Sequence, residues 1–183
     1  MMANLIARSI HDLTAAAWFG GSLMGAVGLN GATGQAKDST ERTRLSALGW
    51  KRWAPVQGAA LIGHVVAGLA VINENKERIA SQDGGTRLTA YKTAVTLTGA
   101  ALTLYTGILG RKVEQLAGEG AEGATEPGPG SSKELASAQR QLKILQWTIP
   151  FFAGTVIVLG AKHGEMQRTH NVLKGLVKRS LHS

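Results

Sequence analysis

Residues 53–73 read WAPVQGAALIGHVVAGLAVIN, and no Asp, Glu, Lys or Arg interrupts those 21 positions. The hydrocarbon core of a bilayer takes a helix of about 20 predominantly apolar residues, so this stretch predicts a membrane crossing. Three further windows behave alike: 13–36 over 24 positions, 93–110 over 18 and 144–161 over 18. The chain carries 20 Lys and Arg and 12 Asp and Glu in 183 residues, so charge is segregated rather than scarce. The expected fold is all-α: a four-transmembrane-helix bundle with an amphipathic basic C-terminal helix. A soluble bundle of buried helices would favour Leu and Ile where these windows carry Gly, Ala and Thr.

The length suits one domain. Cysteine is absent, which excludes a disulfide framework, a thiolate nucleophile and a Cys-based metal site. The first window is long for a signal-peptide core and no A-x-A-like cleavage pattern follows it, so a retained helix is expected. The net charge of +8 sits on the flanks of the apolar windows, where Lys and Arg meet anionic headgroups. That placement points to the lipid bilayer as partner and not to nucleic acid.

A membrane domain over 1–164 is expected, with helices at about 5–31, 54–73, 89–110 and 135–162, followed by a tail over 165–183. Within the connector 32–52, STERTRLSALGW predicts a short interfacial helix capped by Ser39 or Thr40. Trp50 and Trp53, beside Lys51 and Arg52, read as interface anchors. Pro55 suits a first helical turn, and Pro150 predicts a kink in the fourth helix. Residues 117–133, AGEGAEGATEPGPGSSK, predict a flexible loop from their Gly, Pro, Ser and Glu content. In the tail, Val172, Leu173, Leu176, Val177 and Leu181 share one helical face and Lys174, Lys178 and Arg179 lie off it. Such a helix lies on a membrane surface or binds a partner.

Little hydrophobic drive joins helices in lipid, so close backbone approach matters. Ala17, Gly21 and Gly25 form one small-residue stripe, and Gly63, Ala67 and Ala70 another. Internal packing is the plain reading and a homodimer face the alternative. The positive-inside count is a tie, ten basic residues on each side. The basic tail suits an anionic leaflet, which places both termini in the cytoplasm of a multi-pass inner (plasma) membrane protein.

Ionisable groups inside membrane helices are functional suspects. His64 stands mid-helix, His11 and Lys92 lie early in the first and third helices, and His163 and Glu165 close the fourth. His11 lies six residues past Leu5, about 9 Å from that membrane face, and His64 nine residues before Asn73, about 13 Å from the same face. All these groups therefore belong to one half of the bilayer. Two imidazoles at similar depth on adjacent helices can ligate a haem iron or share a copper or zinc ion. The plainer reading makes them interfacial, hydrogen-bonded or snorkelling side chains. Asp12 could orient His11, although adjacent helix residues point apart. No phosphate loop, hydrolase elbow, paired-carboxylate signature or HExxH motif is present.

The motifs His11-x6-Trp18-Phe19-Gly20-Gly21, Tyr91-Lys92, Leu104-Tyr105-Thr106-Gly107-Ile108-Leu109-Gly110-Arg111 and Trp147-Thr148-Ile149-Pro150 carry a resemblance. The chain resembles small bacterial membrane proteins with four-helix modules: the haem-binding, oxygen-independent protoporphyrinogen oxidases and the copper-resistance D type. The resemblance implies a b-type haem (haem b) with His11 as ligand, Lys92 as a functional residue, and Trp18 and Tyr105 beside the cofactor. Three functions stay open. The first is a haem-binding oxidoreductase with His11 and His64 as axial ligands and Lys92 against a carboxylate. The second is a non-catalytic accessory subunit of a larger membrane complex. The third is a metal or small-solute transporter or sensor.

Overall fold

A computed structural model describes residues 2–81 and 84–166. Helix α1 spans Met2–Met24 and passes through a π-helical turn, Gly25–Leu29, into the short α2, Asn30–Thr33. Helix α3 spans Ser39–Ser81, α4 spans Gly85–Gln115 and α5 spans Lys133–Met166. The chain is all-helical among the described residues, and three helices, α3, α4 and α5, are long and apolar enough to cross a membrane.

Helix α3 has 43 residues, so at 1.5 Å per residue it is about 64 Å long, twice a hydrocarbon core. The expected interfacial helix and second crossing are thus one rod. Its N-terminal cap is Asp38, whose Oδ1 accepts from the Glu41 N–H at 2.8 Å, in place of the expected Ser39 or Thr40. Pro55 falls deep inside this rod, not in a first turn, and leaves the Lys51 carbonyl without its helical donor. Helix α5 is capped by Ser132, whose hydroxyl accepts from the Leu135 N–H at 3.2 Å. It continues through Pro150 to Met166.

The four long helices form a square in which α1 packs on α3 and α5, and α4 packs on the same two. All four sides meet in an apolar cluster of Trp18, Leu61, Val95, Ile149, Ala153 and Val156. A second cluster, of Leu109, Val113, Leu135, Ala138 and Leu145, joins α4 to α5. The outer surface differs from that of a water-soluble protein. Leu13, Ile62, Val66, Leu69, Leu104, Ile108, Phe151 and Val158 face outward, while Ser22, Gln57, His64, Thr103 and Gln139 are buried. Lipid is the solvent that suits such a surface.

Glycine lets the helices close on tryptophan. A Cβ on Gly21 would stand 2.0 Å from the Trp53 ring, and one on Gly25 2.1 Å from the Trp50 ring. The first stripe is therefore used inside the chain. Trp50 and Trp53, read from the sequence as interface anchors, are half-buried against α1 and the turn that follows it. Their rings fill these glycine recesses, and their indole N–H groups donate to Asn30 Oδ1 at 2.9 Å and Gln57 Oε1 at 2.7 Å. The second stripe also meets α1, where a Cβ on Gly63 would lie 3.1 Å from Thr14.

The segment after α4 differs from the flexible loop its composition predicts. A 3₁₀ turn, Ala117–Glu119, leads into Gly120 at φ 73°. The Ala121 N–H donates to the Ser39 carbonyl, and Arg42 donates to the Glu122 carbonyl. Gln139, fully buried, donates to the carbonyls of Gly123 and Ala124. Small residues that cannot build a core of their own here let the backbone lie close against α3 and α5. The rest of the expected amphipathic tail, 167–183, lies outside the described residues, whereas Glu165 and Met166 still belong to α5.

Candidate functional site

The polar residues of one half of the bundle converge on His11. Helix α1 presents it inward next to Gly68 of α3, where a Cβ would lie 3.4 Å from the imidazole. His64 of α3, 2% exposed, stacks on it with ring centroids 4.1 Å apart and planes tilted by 33°. The His64 Nδ1 lies 3.0 Å from the His11 carbonyl oxygen. That oxygen only accepts, so Nδ1 of His64 carries a proton.

His11 itself is held at both nitrogens. Its Nδ1 lies 3.0 Å from Asp12 Oδ1, and the Lys92 Nζ lies 3.2 Å from its Nε2. An ammonium only donates, so Nε2 accepts and Nδ1 donates to the Asp12 carboxylate; the tautomer is assigned from these partners. The sequence argument that adjacent residues point apart is corrected here: the Asp12 side chain folds back to its neighbour. Asp12 is 78% exposed on the outer surface, whereas His11 is 12% exposed. The line Asp12, His11, Lys92 therefore runs from the outer surface into the interior.

Around this line, Arg8 donates to Asn75 Oδ1 at 3.5 Å, and Arg78 donates to the same oxygen. Trp18 is fully buried, 6.2 Å from the His64 ring centroid, and its indole donates to Thr103 Oγ1 at 3.1 Å. Gly99 makes room for it, since a Cβ there would stand 2.7 Å from the Trp18 ring. His163 lies further along α5, and its Nε2 is buried with no hydrogen-bond partner among the described residues.

The structure brings His11, His64 and Lys92 together and sets Trp18 beside them. It does not bring Tyr105. That residue lies 13 positions after Lys92, about 20 Å along α4, and its hydroxyl donates to Gln141 Oε1. Sequence reasoning also passed over Asn75 and two amide clusters. Gln57 donates to Ser22 Oγ at 3.1 Å, and Asn30 donates to Gln146 Oε1 at 3.0 Å while accepting from Ser46. For Ser22, Asn30, Gln57 and Gln146 the available signal was an isolated amide or hydroxyl within an uncharged window; Ser46 and Asn75 lie outside those windows. The π-helical turn that aims Asn30, with its N–H bonded to the Gly25 carbonyl, has no such signal.

An iron ligated from both sides needs two ring nitrogens aimed at each other across the porphyrin. Here the two imidazoles lie face against face, and three of their four nitrogens are engaged by His11 O, Asp12 and Lys92. The pair as folded does not fit axial ligation of a haem between α1 and α3. Among the described residues no three His, Asp or Glu side chains gather as a metal site would need. Compared with known proteins, the chain matches no family model, no curated protein and no solved structure. Its class rests on the architecture: an all-helical chain with apolar helices of membrane-crossing length.

Proposed function

We propose that the protein is a four-crossing membrane protein, with α1 as the fourth crossing, that handles protons through Asp12, His11 and Lys92. Helix α1 is flanked by α3 and α5, and its outer surface carries Leu5, Ile6, Ile10, Leu13 and Met24, with Val27 exposed in the turn that follows. The Arg8, Lys76, Arg78, Arg87 and Lys162 end of the bundle suits an anionic cytoplasmic leaflet of the inner membrane.

The observation that carries the reading is the imidazole held between a carboxylate and an ammonium. In one step Lys92 gives a proton to Nε2 of His11 while the Nδ1 proton passes to the Asp12 carboxylate. Lys92 becomes a neutral amine, Asp12 a carboxylic acid, and His11 the opposite tautomer. Such a relay serves a redox or solute-coupled membrane protein that must move a proton without moving water.

Nitrogen-15 spectra of histidine-labelled protein in nanodiscs test it. The Nδ1–H tautomer of His11 is expected, held by the Lys92 donor at Nε2, and its Nδ1–H signal shifts in Asp12→Asn as a charged acceptor gives way to a neutral one. A His11 Nδ1–H signal unchanged in that variant removes the relay. A Soret band in protein from haem-replete cells, abolished by His64→Ala, restores the haem reading in its place.

A second reading has one observation behind it. The exposed Asp12 carboxylate shares its surface with Ile10 and Leu13, and a carboxylate facing lipid is costly. An accessory subunit whose partner presents a donor at that height would cover it.

A further inference from the structure

Lys92 makes no ion pair with a carboxylate among the described residues; its contact there is the acceptor nitrogen of His11. A charged group inside a membrane bundle ordinarily pairs with an opposite charge. On the α5 side its ammonium looks onto Gly160, where a Cβ would stand 3.5 Å from Nζ. His163 lies three residues beyond Gly160, on the same helix face. Its Nε2 is buried without a partner among the described residues. An ammonium and an unanswered imidazole nitrogen thus border one bare stretch of backbone.

A cavity of about 440 Å³ opens beside this place, lined by Gly84, Arg87, Leu88, Tyr91, Lys162 and Met166. Leu88 precedes Lys92 by four residues and Met166 follows His163 by three, so each shares a face with its neighbour in the pair. The cavity combines two cations, neither in an ion pair among the described residues, with an apolar lining from Leu88, Met166 and the Tyr91 ring.

We infer that Lys92 and His163 bind the anionic oxygens of a membrane-soluble acid that enters through this cavity. The ligand class is a carboxylate or phosphate head on an apolar body. The Lys92 ammonium and the His163 imidazole meet the head, Arg87 and Lys162 draw it to the mouth, and Leu88 and Met166 face its apolar part. This rests on the reading that the Lys92 cluster is the working site, and it names what that site takes.

The test uses the full chain in phosphatidylcholine nanodiscs. Oleate, phosphatidic acid, inorganic phosphate and oleyl alcohol are titrated in, with thermal unfolding and the nitrogen-15 shift of His163 as readouts. Oleate, phosphatidic acid or both are expected to raise the unfolding temperature and move the His163 signal; which of them acts tells a carboxylate head from a phosphate. Lys92→Gln is expected to weaken the response about tenfold or more, the worth of one charge-assisted hydrogen bond, while Lys92→Arg retains it. Equal binding by Lys92→Gln, an equal response to oleyl alcohol, a response to inorganic phosphate alone, or a His163 signal that moves with nothing overturns the inference. If Lys92→Gln does not fold, the wild-type His163 shift decides between acid and alcohol. Asp12→Asn, which breaks the relay, leaves acid binding in place, so the two readings fail separately.

Discussion

The Lys92 ammonium reaches His11 across the diagonal of the helix square. Helices α1 and α4 share no packed side; each rests on α3 and α5. Yet the Nζ of Lys92 lies 3.2 Å from the Nε2 of His11. About two turns further along α1 and three along α4 the diagonal is spanned again, by the Trp18 indole and the Thr103 hydroxyl. Two side-chain hydrogen bonds therefore tie together the helices that backbone packing leaves apart.

Removing the Asp12 carboxylate is expected to change the proton pattern of His11 far more than the stability of the fold. Asp12 is mostly exposed, and an exposed pair is worth about 1 kcal/mol or less. Thermal unfolding of Asp12→Asn in detergent should stay close to wild type. A large loss of stability would mean that the carboxylate holds the bundle together.

His64 behaves differently. It is buried, stacked on His11, and donates to the His11 carbonyl. His64→Ala leaves a cavity and removes one donor from the His11 carbonyl, which keeps the Thr14 hydroxyl at 3.1 Å, at an expected cost of about 2 kcal/mol or more. His64→Gln, which can still donate from its amide, should recover part of that loss. Chemical or thermal unfolding of the two variants measures the difference.

Glycines 20 and 21 are adjacent in sequence and opposite in tolerance. A Cβ on Gly21 would stand 2.0 Å from the Trp53 ring, while nothing lies within 4 Å of one on Gly20. Gly21→Ala is expected to cost roughly 1–3 kcal/mol as the tryptophan is displaced, and Gly20→Ala to be near neutral. Size-exclusion profiles and unfolding midpoints in one detergent distinguish them.

Residues 117–132 are expected to resist limited proteolysis. Gln139→Ala removes the donor that holds the carbonyls of Gly123 and Ala124. Cleavage of this segment should then accelerate at unchanged protease concentration. Equal cleavage rates would show that the amide is not what fixes it.

The grouping of the site residues was legible in the sequence. Counting residues from the expected membrane face put His11, His64 and Lys92 at similar heights, and the rings and the ammonium do meet at one level of the bundle. Helical character was equally legible, because uncharged windows of 18 or more residues leave little alternative. The partners of each group were not legible. Trp50 and Trp53 stand beside Lys51 and Arg52, a pattern that normally marks a membrane interface, and only three-dimensional packing shows that Gly25 and Gly21 receive them. The segment 117–132 misled for a related reason. Composition reports what a segment can bury on its own, and this one is fixed by groups far along the chain: Ser39, Arg42 and Gln139. Asp12 was judged by backbone direction alone, whereas its side chain is long enough to turn back on His11.

The bond from Ala121 to the Ser39 carbonyl has a consequence for how the protein is made. During synthesis Ser39 leaves the ribosome more than eighty residues before Ala121 does. The opening turns of α3 must therefore wait, without their lid, until α4 has been threaded and its trailing segment has emerged. Chains arrested between His64 and Ala121 would hold the His11 and His64 pair already available while the opposite end of the bundle was still unfastened.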